Sequence, residues 1–178
     1  MKCPACKSPD LRPTMIEELL PAMGCEQCKG SLVGLLYYRH WAEKHKPRQD
    51  ASAPSTVSEA PPDTATALHC PKCQRIMTKY RLSGTVGNRL DVCNICDEAW
   101  LDGGEWELLE QLQLSDKLPS VFTEAWQRKL RTEASERMRQ EILRRTVGAE
   151  DASKVESLRS WLNGHPAKSA ILTYLYRD

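Results

Sequence analysis

His69-Cys70-Pro71-Lys72-Cys73, then nineteen residues, then Cys93-Asn94-Ile95-Cys96 is the stretch that decides how this chain folds. A C-x-x-C turn aims two sulfurs at one point, and a second turn completes the tetrahedron that zinc accepts from thiolates. The same plan opens the chain. Lys2-Cys3-Pro4-Ala5-Cys6 is followed after eighteen residues by Cys25-Glu26-Gln27-Cys28. Every cysteine belongs to one of these four pairs, so the chain carries an internal repeat. Both copies satisfy the zinc spacing C-x2-C-x15–20-C-x2-C. The expected ligands are Cys3, Cys6, Cys25 and Cys28 for one ion, and Cys70, Cys73, Cys93 and Cys96 for a second.

Other uses of these cysteines fit less well. A thioredoxin-like redox centre needs one C-x-x-C at a strand–helix junction, not four pairs. A disulfide framework suits an exported protein, whereas Met1-Lys2-Cys3 enters a metal motif at once and gives no export signal. The reducing cytoplasm is therefore the expected compartment. Rubredoxin-like iron uses the same four thiolates, and spacing alone does not separate it from zinc. Sequential pairing within each copy is expected over cross-bracing on the strength of the internal repeat, since the forty-one residues between Cys28 and Cys70 favour the shorter closure only slightly.

The expected fold class is α+β. Two small rubredoxin-like ribbons, each a β-hairpin plus a short helix, are joined by a flexible linker and followed by a helical C-terminal region. Residues 1–46 form the first ribbon, 47–67 the linker, 68–113 the second ribbon and 114–178 the tail. The linker carries Pro47, Pro54, Pro61 and Pro62 among Ala, Ser and Thr, too little apolar surface to offset ordering entropy. In the second ribbon Ile76, Thr78, Tyr80 and Leu82 alternate with Met77, Lys79 and Arg81. Gly84 and Gly87 supply the turn, and Leu90 and Val92 return to Cys93. Leu11 to Gly24 has no clear turn signal and is a hairpin by analogy. Asp102 and Glu105 have capping-box spacing for a helix through Trp106, Leu108, Leu109 and Leu112, with Trp100 packed beside the metal.

Cys70-Pro71-Lys72-Cys73, Cys93-Asn94-Ile95-Cys96 and Trp100-Leu101-Asp102-Gly103-Gly104-Glu105 together resemble a known family. They are similar to the bacterial zinc ribbons named after the N-terminal ribbon of transcription factor IIB. The resemblance covers residues 69–110 and implies that Cys70, Cys73, Cys93 and Cys96 hold zinc. Asp97-Glu98 replaces the family's small, Gly-containing stretch. In the first copy Leu32-Val33-Gly34 stands where Trp-Leu-Asp would, so only the ligands carry the likeness there. Such a likeness is to a metal module and does not bring a transcription role with it.

Beyond residue 113 the pattern is helical. Ser120 is the expected cap of a helix to about Val147, with Phe122, Trp126, Leu130, Ala134, Met138 and Ile142 recurring every four positions. A stripe of that period drifts by ~40° per step and winds round the helix, so its ends meet different surroundings. A second helix through Val155, Leu158, Trp161 and Leu162 should end at Gly164 as a left-handed cap, and Pro166 should open a third. The tail has twelve basic and nine acidic side chains, interspersed, and the whole chain carries net charge +1. Neither makes a nucleic-acid stripe. No stretch is long and apolar enough for a membrane span, and no nucleophile–base pair, phosphate loop or catalytic carboxylate pair stands out. The expected function is a zinc-binding, non-enzymatic adaptor holding two zinc ions and binding a protein partner, with a homodimer through the C-terminal helices as one form of this. The alternative is a nucleic-acid-binding or polymerase-associated regulator.

Overall fold

The computed structural model describes residues 1–17, 19–45 and 60–176. Most of the expected linker therefore lies outside the described residues. The chain divides into two compact units, residues 1–131 and 132–178.

The first unit is built on one antiparallel sheet. Its strands are β1 (Arg12–Ile16), β2 (Leu20–Gly24), β3 (Ser31–Gly34), β4 (Thr78–Arg81), β5 (Arg89–Cys93) and β6 (Glu98–Leu101). They lie in the order β1-β2-β3-β6-β5-β4. Each ribbon thus supplies a hairpin and a third strand, and the two third strands pair with each other. The Leu11–Gly24 hairpin forms, with Arg12 opposite Gly24 and Ile16 opposite Leu20. In the second hairpin the turn works differently from expectation. Neither Gly84 nor Gly87 takes a positive φ; instead the Ser83 Oγ accepts from the backbone N–H groups of Thr85 and Val86 at 3.1 and 3.2 Å.

The β3–β6 pairing was not foreseen, and it has internal symmetry. Leu32 sits opposite Trp100, Val33 opposite Ala99, and Ser31 opposite Leu101. Aligning the repeats on Cys25/Cys28 and Cys93/Cys96 makes Leu32 the counterpart of Trp100, Val33 of Leu101 and Ser31 of Ala99. The pairs therefore exchange equivalent positions about a local two-fold axis, as in an isologous interface. Two metal modules that bury little by themselves gain a shared core this way.

One sheet face carries Leu20, Ala22, Val33, Leu90, Val92, Ala99 and Leu101. Against it pack Tyr38 and Trp41 of α1 (Leu35–Lys44), Trp106, Leu108 and Leu109 of α2 (Glu105–Gln111), and Leu118 and Val121 of α3 (Leu118–Val121). Tyr38 ties these together: its hydroxyl donates to the Ser115 carbonyl at 2.8 Å and accepts from the Leu118 N–H at 3.1 Å. The opposite face carries Leu32, Trp100 and the cysteines. Gly30 allows this closeness. A Cβ there would come within 2.3 Å of Trp100 Cζ2 and 3.0 Å of the Leu101 carbonyl oxygen. Its φ is not in the left-handed region, so the demand is purely steric. Gly30→Ala should therefore lower stability by ~1–3 kcal/mol through overpacking, read as a lower thermal midpoint of the metal-loaded protein. An unchanged midpoint would show that the indole has room to move.

Asp102 and Glu105 share half of the expected capping box. Glu105 Oε2 accepts from the Asp102 N–H at 2.9 Å. The Asp102 carboxylate does not cap α2, whose N-cap is Gly104 at φ 88. It accepts instead from Trp100 Nε1 at 2.9 Å and from the Thr64 N–H at 2.7 Å. Thr64 belongs to the stretch assigned to the linker, whose described part is pinned down. Asp63 accepts from the Arg89 guanidinium at 2.8 and 3.1 Å, and the Pro61 carbonyl accepts from Asn88 Nδ2 at 2.9 Å.

Ser120 lies inside α3, and the cap of α4 (Glu124–Val147) is Thr123, whose Oγ1 accepts from the Trp126 N–H at 3.2 Å. The winding stripe has the expected consequence. Phe122, Trp126 and Leu130 pack in the first unit, with Trp126 Nε1 donating to the Leu82 carbonyl at 3.2 Å. Met138 and Ile142, further along, are exposed.

The second unit contains the rest of α4, α5 (Ala149–Asn163) and α6 (Lys168–Leu175). Gly148, at φ 86, separates α4 from α5. Glu136 pairs with Arg159, and Glu156 lies 4.0 Å from Arg144, so α5 folds back on α4. Gly164 is at φ −90, in the right-handed region, and is not the left-handed cap expected of it. The His165 N–H reaches the Leu162 carbonyl and the Lys168 N–H the His165 carbonyl, so Pro166 sits in a turn ahead of α6.

Candidate metal centres

Each C-x-x-C turn is made the same way. The residues after the second cysteines, Lys7, Lys29, Gln74 and Asp97, all take positive φ, at 64, 61, 62 and 55°. The N–H groups of Lys7, Lys29 and Gln74 return to the carbonyls of Cys3, Cys25 and Cys70 at 2.8, 2.9 and 2.8 Å. A non-glycine residue held there is strained, and a turn this tight brings both sulfurs to one side. The Cys6 N–H points at Cys3 Sγ at 3.3 Å, and the Cys96 N–H at Cys93 Sγ at 3.4 Å. Such amides stabilise thiolate charge.

The eight sulfurs gather as the spacing requires. Cys3, Cys6, Cys25 and Cys28 form one group and Cys70, Cys73, Cys93 and Cys96 the other, with the sulfurs of each group all within 4.8 Å of one another. None is in a disulfide. Cys3 and Cys28 sulfurs are 3.7 Å apart, Cys73 and Cys93 3.6 Å, and Cys6 and Cys25 4.0 Å. Sulfurs at 2.3 Å from one tetrahedral centre stand about 3.8 Å from each other. Both groups fit a four-coordinate ion, and the two could hold two metal ions.

The thiols are unequal. Burial pushes Cys25 up, but the backbone N–H groups of Cys28 and Gln27 outweigh it and bring it down to about 7. The Arg75 N–H leads the effects that bring Cys73 to about 7. Burial raises Cys3, Cys28 and Cys70. The neighbouring Cys73 sulfur, with burial, pushes Cys96 up to about 12. Metal binding takes the thiolate form, and a bound cation would draw off the protons that the thiols still hold. Lys72, whose ammonium pairs with Glu98, adds positive charge beside the second group.

Three features around the sites escaped the sequence reading. Arg39 on α1 makes a bidentate pair with Asp97, the residue after Cys96, at 2.8 and 2.9 Å. The Leu35 N–H donates to the Asp97 carbonyl at 2.8 Å. Gly103 lies so close to the first group that a Cβ on it would be 2.5 Å from the Cys28 carbonyl oxygen.

A third cluster joins Asp63, Asp102 and Glu105 within 4.8 Å. Its oxygens already have donors: Arg89 for Asp63, Trp100 and Thr64 for Asp102, Asn88 and the Asp102 N–H for Glu105. Burial pushes Glu105 up to about 8, against the Asp102 N–H that lowers it. The cluster is a structural tie for residues 61–64.

Comparison with family models, with curated proteins and with solved structures finds no match to this chain.

Proposed function

We propose that the chain is a zinc-binding, non-enzymatic adaptor that presents its helical tail to a protein partner. The observation that supports the metal half is the four-sulfur geometry. Four thiolates saturate a tetrahedral ion and leave no position for water or substrate, so the role of such a centre is structural. Zinc suits an all-thiolate site with no redox task, and the resemblance of residues 69–110 to transcription-factor-IIB-like ribbons favours the same metal. Elemental analysis of the purified protein should find two zinc ions per chain. Stoichiometric iron would replace zinc in this reading.

What supports the partner half is the surface of the second unit. Tyr174, Tyr176 and Trp161 are 77, 85 and 53% exposed, and Met138, Ile142, Leu158 and Leu175 are exposed with them. Only Ala152 and Leu162 are buried among its described residues. Aromatic side chains left in water on this scale mark a docking surface. Among the described residues no helix is long and apolar enough to cross a membrane.

A nucleic-acid regulator makes the opposite demand, for concentrated positive charge. In the second unit Arg139, Arg144, Arg145, Lys154 and Arg159 all face carboxylates within 4.0 Å. Fluorescence anisotropy with duplex and single-stranded oligonucleotides should give no better than micromolar, sequence-indifferent binding near physiological salt, weakening steeply as salt rises. Deleting residues 150–178 should abolish association, measured as mass in solution and recovery of the bound protein. Tight nucleic-acid binding that survives the deletion would replace the adaptor with the regulator.

A further inference from the structure

We propose that the two metal centres load and empty as one cooperative unit, coupled through the β3–β6 pair, so that the chain reports metal supply all-or-none. This rests on the reading of both cysteine groups as metal sites. The contacts that build each centre come partly from the other ribbon, and in both directions. On the side of the first group, Gly30 accepts the Cys25 N–H through its carbonyl at 2.8 Å. The Trp100 indole of ribbon 2 lies on that glycine, and Gly103 of ribbon 2 lies on the Cys28 carbonyl. On the side of the second group, Asp97 follows Cys96 in its left-handed turn. Its carboxylate is clamped by Arg39 and its carbonyl by the Leu35 N–H, both from ribbon 1.

Between them runs a single buried cluster. Cys3, Cys25, Leu32, Cys70, Cys93 and Trp100 belong to it, and Cys6, Cys28, Cys73 and Cys96 pack against it. Trp100 is fully buried, and its Nε1 is anchored on Asp102. Leu32 opposite it occupies the equivalent place in ribbon 1. A ribbon that loses its ion loses the tight turns that set its third strand. The partner strand then loses its hydrogen bonds, and the other centre loses the contacts on its own turns. Close packing makes such an arrangement two-state and not gradual. Each ion therefore raises the affinity for the other, by the reciprocity that linkage requires.

Native mass spectrometry of the full chain, with zinc withdrawn stepwise by a competing chelator under reducing conditions, tests this. Two independent sites, whatever their relative affinities, leave at least half the chains with one ion when half the zinc is gone. A coupling of ~20-fold, within the usual range for linked sites, leaves about a fifth. We expect a one-zinc fraction at or below about a fifth. In the full-length Cys70→Ser/Cys73→Ser variant the first site should bind zinc at least tenfold more weakly than in the intact protein. Two ions bound normally with half or more one-zinc chains at the midpoint, or an unchanged first site in the variant, would overturn the coupling alone. A chain that takes up no zinc would overturn the metal reading itself.

Discussion

Chelating the metal from the intact protein under reducing conditions should unfold both ribbons, with loss of NMR dispersion for the core methyls of Leu20, Val33, Leu90 and Leu101. Structural four-thiolate sites carry apparent binding energies of ~10–16 kcal/mol, while a domain of this size has a net stability of ~5–15 kcal/mol. Either ion by itself is comparable to the whole margin. The strands show why the loss is global. β5 ends on Cys93, β2 runs directly into Cys25, and β6 follows Cys96 by one residue. Removing the ion frees the ends of the strands that carry the core. Helical signal from residues 132–176 gives no readout of this event, so far-ultraviolet circular dichroism is the wrong probe and the core-methyl dispersion the right one. A chelated protein that keeps native methyl dispersion would show that the apolar core folds without metal.

How much of this was legible beforehand depends on the range of the interaction. The ligand sets were readable because C-x-x-C spacing is a local geometric demand, and the structure groups the same eight cysteines. The second hairpin was readable from its period-2 alternation. The cap on α4 was misread because Ser120 and Thr123 offer the same chemistry three residues apart, and only packing of Leu118 and Val121 selects between them. The capping carboxylate of Asp102 was misread because two other donors, the indole of nearby Trp100 and the N–H of Thr64, distant in sequence, outbid the helix amide. The β3–β6 seam was invisible. Four-residue strands such as Ser31–Gly34 give too short a pattern to read, and nothing in a local window says that a strand's partner is its own repeat.

Asp91, between Leu90 and Val92 in the return strand, generates the other large expected effect. It is 1% exposed at the middle of β5, and only one of its oxygens has a partner: Lys79 Nζ lies 2.6 Å from Oδ2, while Oδ1 is buried without a donor. Burial pushes its acid up to about 6, and the Lys79 ammonium restrains the rise. Lys79→Met keeps the aliphatic stem and removes the charge, leaving a buried carboxylate with nothing to balance it. The expected loss at pH 8 is ~3–5 kcal/mol, measured by denaturant unfolding of the metal-loaded protein. The sign of the pH dependence follows from a folded value raised above the unfolded ~3.9. Stability from this group is complete below the unfolded value and is lost as pH rises through the folded one. Without Lys79 the folded value climbs further, so the variant's deficit should be larger at pH 8 than at pH 6, where its Asp91 is mostly neutral. Lys79→Met/Asp91→Leu should recover most of the loss, because replacing both members of a buried pair by apolar groups is close to neutral. A double variant as unstable as Lys79→Met would show that the lysine acts through packing and not through its charge.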